Sequence, residues 1–320
     1  MREFGSMIFR RRSILPVRPG LSGAFLVAIS ALASGASPVH LKVDHATICG
    51  SALAPMESAF SEAGLPAEYG GPHATGGTHM ALLGFEDGSY LELIAPQRSN
   101  ASVRESPWGK AMAGDAGPCA WAVGTADIGR DVRRLASLHI AAKGPDPGSR
   151  TKPDGTVIRW MTATVGRETR GSMLPFLIED VTPRELRVRP SPDSGNIGLI
   201  GIRIVVVGVK RLDPAVARFR KAWGWGEPRI ERDPILGNRL AYFPGEPVIL
   251  AEPLQKKGSF VAYRIQRFGD GPVAIILGAR DFGAAKNKFE LVDEASWFTK
   301  KVAWFPSTRL RGARIGVVAP

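Results

Sequence analysis

Histidine is scarce in this sequence and missing from its second half: His40, His45, His73, His79 and His139 are all there are. Any imidazole-containing metal or acid–base site therefore belongs to the first half. Cysteine is scarcer still. With only Cys49 and Cys119, the chain is neither a disulfide scaffold nor a thiolate zinc site, and the two thiols either pair with each other or sit buried and free. There is no Gly-x-Ser-x-Gly elbow, no P-loop and no His-Glu-x-x-His, which argues against the common serine hydrolases, P-loop nucleotidases and zinc peptidases. Gly70, Gly71, Gly76 and Gly77 precede no helical pattern, so they do not form a dinucleotide loop. Beyond the N-terminal leader no apolar run reaches the roughly 18 residues of a spanning helix, and the mature form is expected without a membrane partner.

What is present suits a globular α+β chain. The 320 residues are 44% hydrophobic, enough for two domains, and 37 glycines with 25 prolines fit short strands punctuated by turns. The formal charge of +12 is spread along the chain without a basic stripe, so no nucleic-acid partner is expected. Part of it lies in residues 1–37, which read as an export signal or disordered leader. Arg10-Arg11-Arg12 precedes an apolar stretch at 21–33 and the small residues Ala33-Ser34-Gly35-Ala36. Arg11-Arg12-Ser13-Ile14-Leu15 resembles a twin-arginine signal, and an exported, periplasmic location is the expectation.

A weak internal repeat organises the remainder. Four β-branched, apolar strands open at 43–48, 120–123, 200–206 and 272–277. Each precedes a helical stretch, at 55–64, 127–138, 213–223 and 281–291. In the first, Met56, Ala59, Phe60 and Ala63 share a face and Gly64 supplies a stop; Asp127, Asp213 and Asp281 stand as N-caps of the others. Each unit closes with a similar strand, at 90–96, 174–180, 248–253 and 314–320. Two more strands fit between helix and closing strand, at 67–72 and 79–85 in unit one and 141–145 and 156–165 in unit two. The spacing predicts four βαβββ modules paired into two cupped half-barrels, a first domain at 38–186, a linker at 187–197 and a second, degenerate domain at 198–320.

The run from Gly70 to His79, followed by Tyr90-Leu91-Glu92-Leu93-Ile94, resembles the glyoxalase-like domain family of the vicinal oxygen chelate (glyoxalase/bleomycin resistance/extradiol dioxygenase) superfamily. Val43-Asp44-His45 and Leu174-Pro175-Phe176-Leu177-Ile178-Glu179 match its opening and second closing strands. Met80 departs from it, standing where the family pattern has Asn. The resemblance implies a divalent metal (Zn, Ni, Mn or Fe) in the cup of paired units, chelating vicinal oxygens as a Lewis acid. Carried onto this chain, the ligands are His45, Glu92 and Glu179. The remaining opening-strand position holds Ala120 or Trp121, which cannot ligate.

Asp87-Gly88 is the strongest two-residue hairpin signal, and it predicts Phe85 opposite Tyr90 and Leu83 opposite Glu92. On that register His79 lies about 13 Å from Glu92 at roughly 3.3 Å per residue, so His79 and His73 are assigned to the substrate rim as base or anchor. Phe85, Tyr90 and Trp121 are the expected cavity walls. The chain is thus read as a metal-dependent lyase, isomerase or oxygenase of a small oxygenated molecule, with Glu92, His79 and His73 as catalytic candidates. The alternative is a metal-free protein sequestering a small ligand in the same cup. Either a monomer or a homodimer is compatible with four units.

Overall fold

A computed structural model describes residues 37–97, 108–114, 117–191, 198–233, 237–255 and 258–319. The leader at 1–36 and residues 192–197 of the expected linker lie outside them. Each of the four units is strand, helix, three strands. Unit one is β1 (Val43–Cys49), α1 (Leu53–Glu62), β2 (Glu68–Pro72), β3 (Thr78–Gly84) and β4 (Tyr90–Pro96). After the short α2 (Gly109–Met112), unit two is β5 (Gly117–Gly124), α3 (Ile128–Ser137), β6 (Ala142–Thr151), β7 (Val157–Val165) and β8 (Phe176–Asp180). A turn of helix, α4 (Arg184–Arg187), leads to unit three: β9 (Leu199–Gly208), α5 (Leu212–Trp223), β10 (Arg229–Asp233), β11 (Asn238–Tyr242) and β12 (Val248–Pro253). Then α6 (Phe260–Phe268) precedes unit four: β13 (Gly271–Ala279), α7 (Phe282–Lys288), β14 (Val292–Trp297), β15 (Lys300–Trp304) and β16 (Ile315–Val318).

Two curled eight-stranded sheets result, ordered β2-β3-β4-β1-β5-β8-β7-β6 and β10-β11-β12-β9-β13-β16-β15-β14. In each, a closing strand pairs in parallel with its own opening strand, and the two opening strands meet antiparallel at the centre. Central strands covered on both faces read as unbroken apolar runs, and all seven residues of β1 are buried. One apolar core runs through both sheets, joining Phe60, Phe85 and Trp121 to Val207, Phe219, Ile275 and Phe305. Cys49 and Cys119 are disulfide-bonded, tying β1 to β5 across the first central seam.

Local signals explain the element ends. Leu53, Met56 and Phe60 bury one stripe of α1, and Gly64 terminates it at φ +79°. Asp127 and Asp281 accept from the backbone N–H of Arg130 and Ala284 as N-caps. Asp213 instead lies inside the first turn of α5, whose N-cap is Arg211.

The β3–β4 hairpin corrects the expected register. Phe85 N–H donates to Ser89 O and Gly88 N–H to Phe85 O, with Gly88 at φ +83°, so the loop has three residues rather than two. Leu82 therefore pairs with Glu92 and Leu83 with Leu91. A one-residue slip exchanges the faces of an entire strand. The hairpin tip docks on the second half-barrel, where Asp87 N–H donates to Ile200 O and Ile202 N–H to Ser89 Oγ. A side chain at Gly201 would collide with Asp87.

Candidate functional site

The parallel β1–β4 pairing sets His45 level with Tyr90 and Thr47 level with Glu92, so all four side chains face the concave side of the first half-barrel. His45, Tyr90 and Glu92 floor a cavity of about 360 Å³. His45 Nε2 lies 3.9 Å from Glu92 Oε2, and His73 Nε2 lies 3.8 Å from the other oxygen, Oε1. Thr47 Oγ1 donates to Glu92 Oε2 at 2.9 Å. His73 reaches the floor from the β2–β3 loop, its Nδ1 2.8 Å from Thr78 Oγ1. The His45 ring stacks on Tyr90 at 4.7 Å between centroids.

Beneath the floor a buried ion network fixes these groups. His45 Nδ1 is 2.6 Å from Asp44 Oδ1. Burial alone would raise the Asp44 carboxyl, but hydrogen bonds from Arg187 and His45 more than offset it and hold the group well below the usual carboxylate range. Arg187 donates to both oxygens of Asp44, at 2.9 and 2.8 Å, to Asp180 and to the Tyr90 hydroxyl at 2.8 Å. Arg184 also donates to Asp44. The ionised Asp44 holds the His45 ring through Nδ1 and turns Nε2 toward the cavity. Burial raises the Tyr90 phenol far above its ordinary value, so it stays protonated.

The walls are basic and aromatic. Arg170 donates to Thr164 Oγ1 and Thr162 Oγ1 at 3.1 and 3.2 Å and lies over the Phe176 ring. Arg150 donates to the carbonyls of Gly70 and Arg187. Burial lowers both guanidiniums from their ordinary value. Trp108, Trp160 and Phe176 add aromatic walls, and the Asp146 carboxylate lies 3.8 Å from Arg170. Burial also pushes the His73 imidazole down, against the opposing charge of Glu92.

Four sequence-predicted residues, His45, Glu92, His73 and Tyr90, thus come together. Four others do not. Glu179 points away from the cup and accepts from the backbone N–H of Ile128 at the start of α3; its neighbour Ile178 takes the concave position. Phe85 and Trp121 are fully buried on the convex face, in the shared core. His79 shares that convex side of β3 and packs edge-on against Tyr69. The slipped hairpin register accounts for Phe85 and His79, and the same alternation of faces accounts for Glu179 and Trp121.

Asp44, Arg150, Arg170, Arg184 and Arg187 were missed. Asp44 carried a signal, since a carboxylate in a fully buried strand requires a cation. Its partner lies 143 residues on, within the segment read as a linker.

The donor set can be tested against the metal that the resemblance implies. Among the described residues no group of three or more His, Cys, Asp or Glu is arranged to hold one. His45 and Glu92 occupy the two unit-one positions, but Ala122 and Phe176 lie beside His45 on the unit-two strands and Ile178 takes the position of Glu179. A ligand set shared by both units is therefore not formed, and these residues do not fit that metal.

The sequence matches the glyoxalase-like domain family over residues 43–221, and the chain belongs to that family. No match to a curated protein was found. Among solved structures, a hypothetical protein from Staphylococcus aureus is similar at 15% identity with a TM-score of 0.58, covering 88% of this chain and 100% of its own. A mutant 4-hydroxymandelate synthase from Streptomyces coelicolor aligns at 12% identity and 0.58, covering 88% and 92%. Methylmalonyl-CoA epimerase from Mycobacterium tuberculosis aligns at 21% identity and 0.35, covering 38% and 89%. The likenesses to the first two concern the fold alone.

Proposed function

We propose that the first half-barrel is an acid–base lyase or isomerase acting on a small oxygenated anion. The observation that carries this is the juxtaposition of an oriented imidazole, His45, with the buried carboxylate Glu92 on one floor beneath Arg170. Glu92 takes a proton from a carbon adjacent to a carbonyl. The C–H electron pair becomes the C=C bond of an enolate, and the carbonyl oxygen gains the negative charge, which Arg170 stabilises. His45, held by Asp44, is the second proton carrier. Glu92, now protonated, returns its proton to carbon to complete an isomerisation, or the β-substituent leaves with its bonding pair and takes a proton from the His45 imidazolium to complete an elimination. No step is assigned to a metal, because the donor set does not fit one.

Proton NMR in D2O of small 2-oxo and β-hydroxy acids, with and without the protein, tests this reading. Loss of the α C–H signal is expected with the parent protein and after exhaustive chelation. It is expected to vanish in Glu92→Gln. Exchange lost on chelation and restored by a divalent ion overturns the metal-free step. Saturable binding without exchange favours the second reading, a sequestering protein, which the aromatic walls Trp108, Trp160 and Phe176 support. Export is proposed alongside, from the basic–apolar–small leader and the Cys49–Cys119 bond, which suits an oxidising compartment. Among the described residues no helix is long and apolar enough to cross a membrane.

A further inference from the structure

The second half-barrel has a cavity of its own, about 480 Å³, within the range of roughly 300–1,000 Å³ typical of small-molecule sites. Its walls include Ile204, Ile249, Trp297, Phe298, Val302 and Val318, with the Tyr242 hydroxyl accepting from Gly245 N–H, and no His, Asp or Glu stands among them. The rim is charged. Its two carboxylates are already engaged: Asp87 accepts from the N–H and hydroxyl of Ser89, and Glu246 accepts from Leu41 N–H and lies 2.7 Å from His40 Nδ1. The three cations, Lys42, Arg203 and Lys300, are exposed and make no side-chain hydrogen bond or ion pair among the described residues. Three cations against two carboxylates leave this rim one net positive charge, and a roomy apolar cup beneath it is complementary to a molecule that is apolar at one end and anionic at the other.

We propose that this second cup binds a small amphiphilic carboxylate as a free molecule, its apolar body against Ile249 and Trp297 and its head at Lys42, Arg203 and Lys300. This site is separate from the catalytic floor and stands or falls without it.

Isothermal titration calorimetry at low ionic strength, with decanoate and its neutral analogue decanamide as probes, tests the proposal. One saturable site for decanoate is expected, with decanamide about tenfold weaker, the ratio that about 1.4 kcal/mol from exposed rim pairs together gives. The triple substitution Lys42→Gln, Arg203→Gln, Lys300→Gln is expected to erase the preference, and Ile249→Trp to abolish binding of both probes. The triple variant alters only exposed side chains, so it remains decisive if Ile249→Trp does not fold. Three results each overturn the proposal: no saturable binding, equal affinity for the two probes, or undiminished binding in a folded Ile249→Trp variant. Sedimentation with phosphatidylglycerol vesicles without decanoate binding also overturns it and assigns the rim to a lipid surface.

Discussion

The two half-barrels share one strand order, yet their concave floors differ in kind. Four residues before the proline that ends each closing strand stand Glu92 in β4 and Ile249 in β12. Their partners on the opening strands are Thr47 and Val206, and two residues earlier stand His45 and Ile204. One backbone thus carries an imidazole–carboxylate floor in one copy and a hydrocarbon floor in the other. The polar floor requires support: Asp44, Arg184, Arg187 and Asp180 are brought together beneath it from β1, α4 and β8. The apolar floor packs Trp297 and Trp304 edge to face at 5.5 Å, with Arg314 over the Trp304 ring.

The sharpest test of the contrast is functional. Glu92→Gln and His45→Gln are expected to lower α-proton exchange by at least about 10²-fold, the usual contribution of a positioned acid or base. Glu252→Gln is expected to leave it unchanged, because the one carboxylate retained on β12 faces away from its cup toward Arg239. A comparable loss in both half-barrels would break the comparison.

Stability separates them next. Asp44→Asn leaves the buried Arg187 with Asp180 as its remaining counter-charge and is expected to cost about 3 kcal/mol in urea unfolding. Arg239→Gln in the second half-barrel breaks only part-exposed pairs and is expected to cost less than about 1 kcal/mol. The central seams differ too. Replacing Cys49 and Cys119 with alanine reopens a link between positions 70 residues apart and is expected to cost about 2–4 kcal/mol, read as a lowered thermal midpoint. Reductant is expected to reproduce that loss in the parent protein and to do nothing further to the variant.

The architecture was legible because the opening strands are buried on both faces, which leaves apolar runs such as Ile202, Ile204, Val205 and Val206 at a regular interval. Strands on the sheet edges were less so. β6 was expected to stop at Pro145, yet it continues to Thr151 past Pro147 and Gly148, through a register shift between Lys143 and Asp146. An edge strand tolerates prolines that a central one does not. His45 and Glu92 were legible as polar residues set in apolar strands. Phe85 and His79 were misplaced because Asp87-Gly88 reads as a two-residue turn while the chain spends a third residue on a bulge. The arginines were not legible at all. A guanidinium is identified as part of a site only by the carboxylate it meets, and Arg187 meets Asp44 only once the half-barrel has closed.

The smallest expected effect concerns pH, and it too is confined to the first half-barrel, since the second holds no histidine. Burial lowers His73 in the folded protein, so as pH falls below about 6.5 the unfolded chain takes up that proton first and stability declines. Asp44 acts lower on the scale. Its depressed carboxyl contributes fully above about pH 4, and that contribution is lost as pH falls toward the folded-state value. Urea midpoints measured from pH 8 to pH 3 are therefore expected to show a shallow decline near pH 6 and a steeper one under pH 4. His73→Gln is expected to remove the first and leave the second. A shallow decline that survives in His73→Gln assigns it to another group and overturns the burial penalty argued for His73, which outweighs the opposing pull of Glu92.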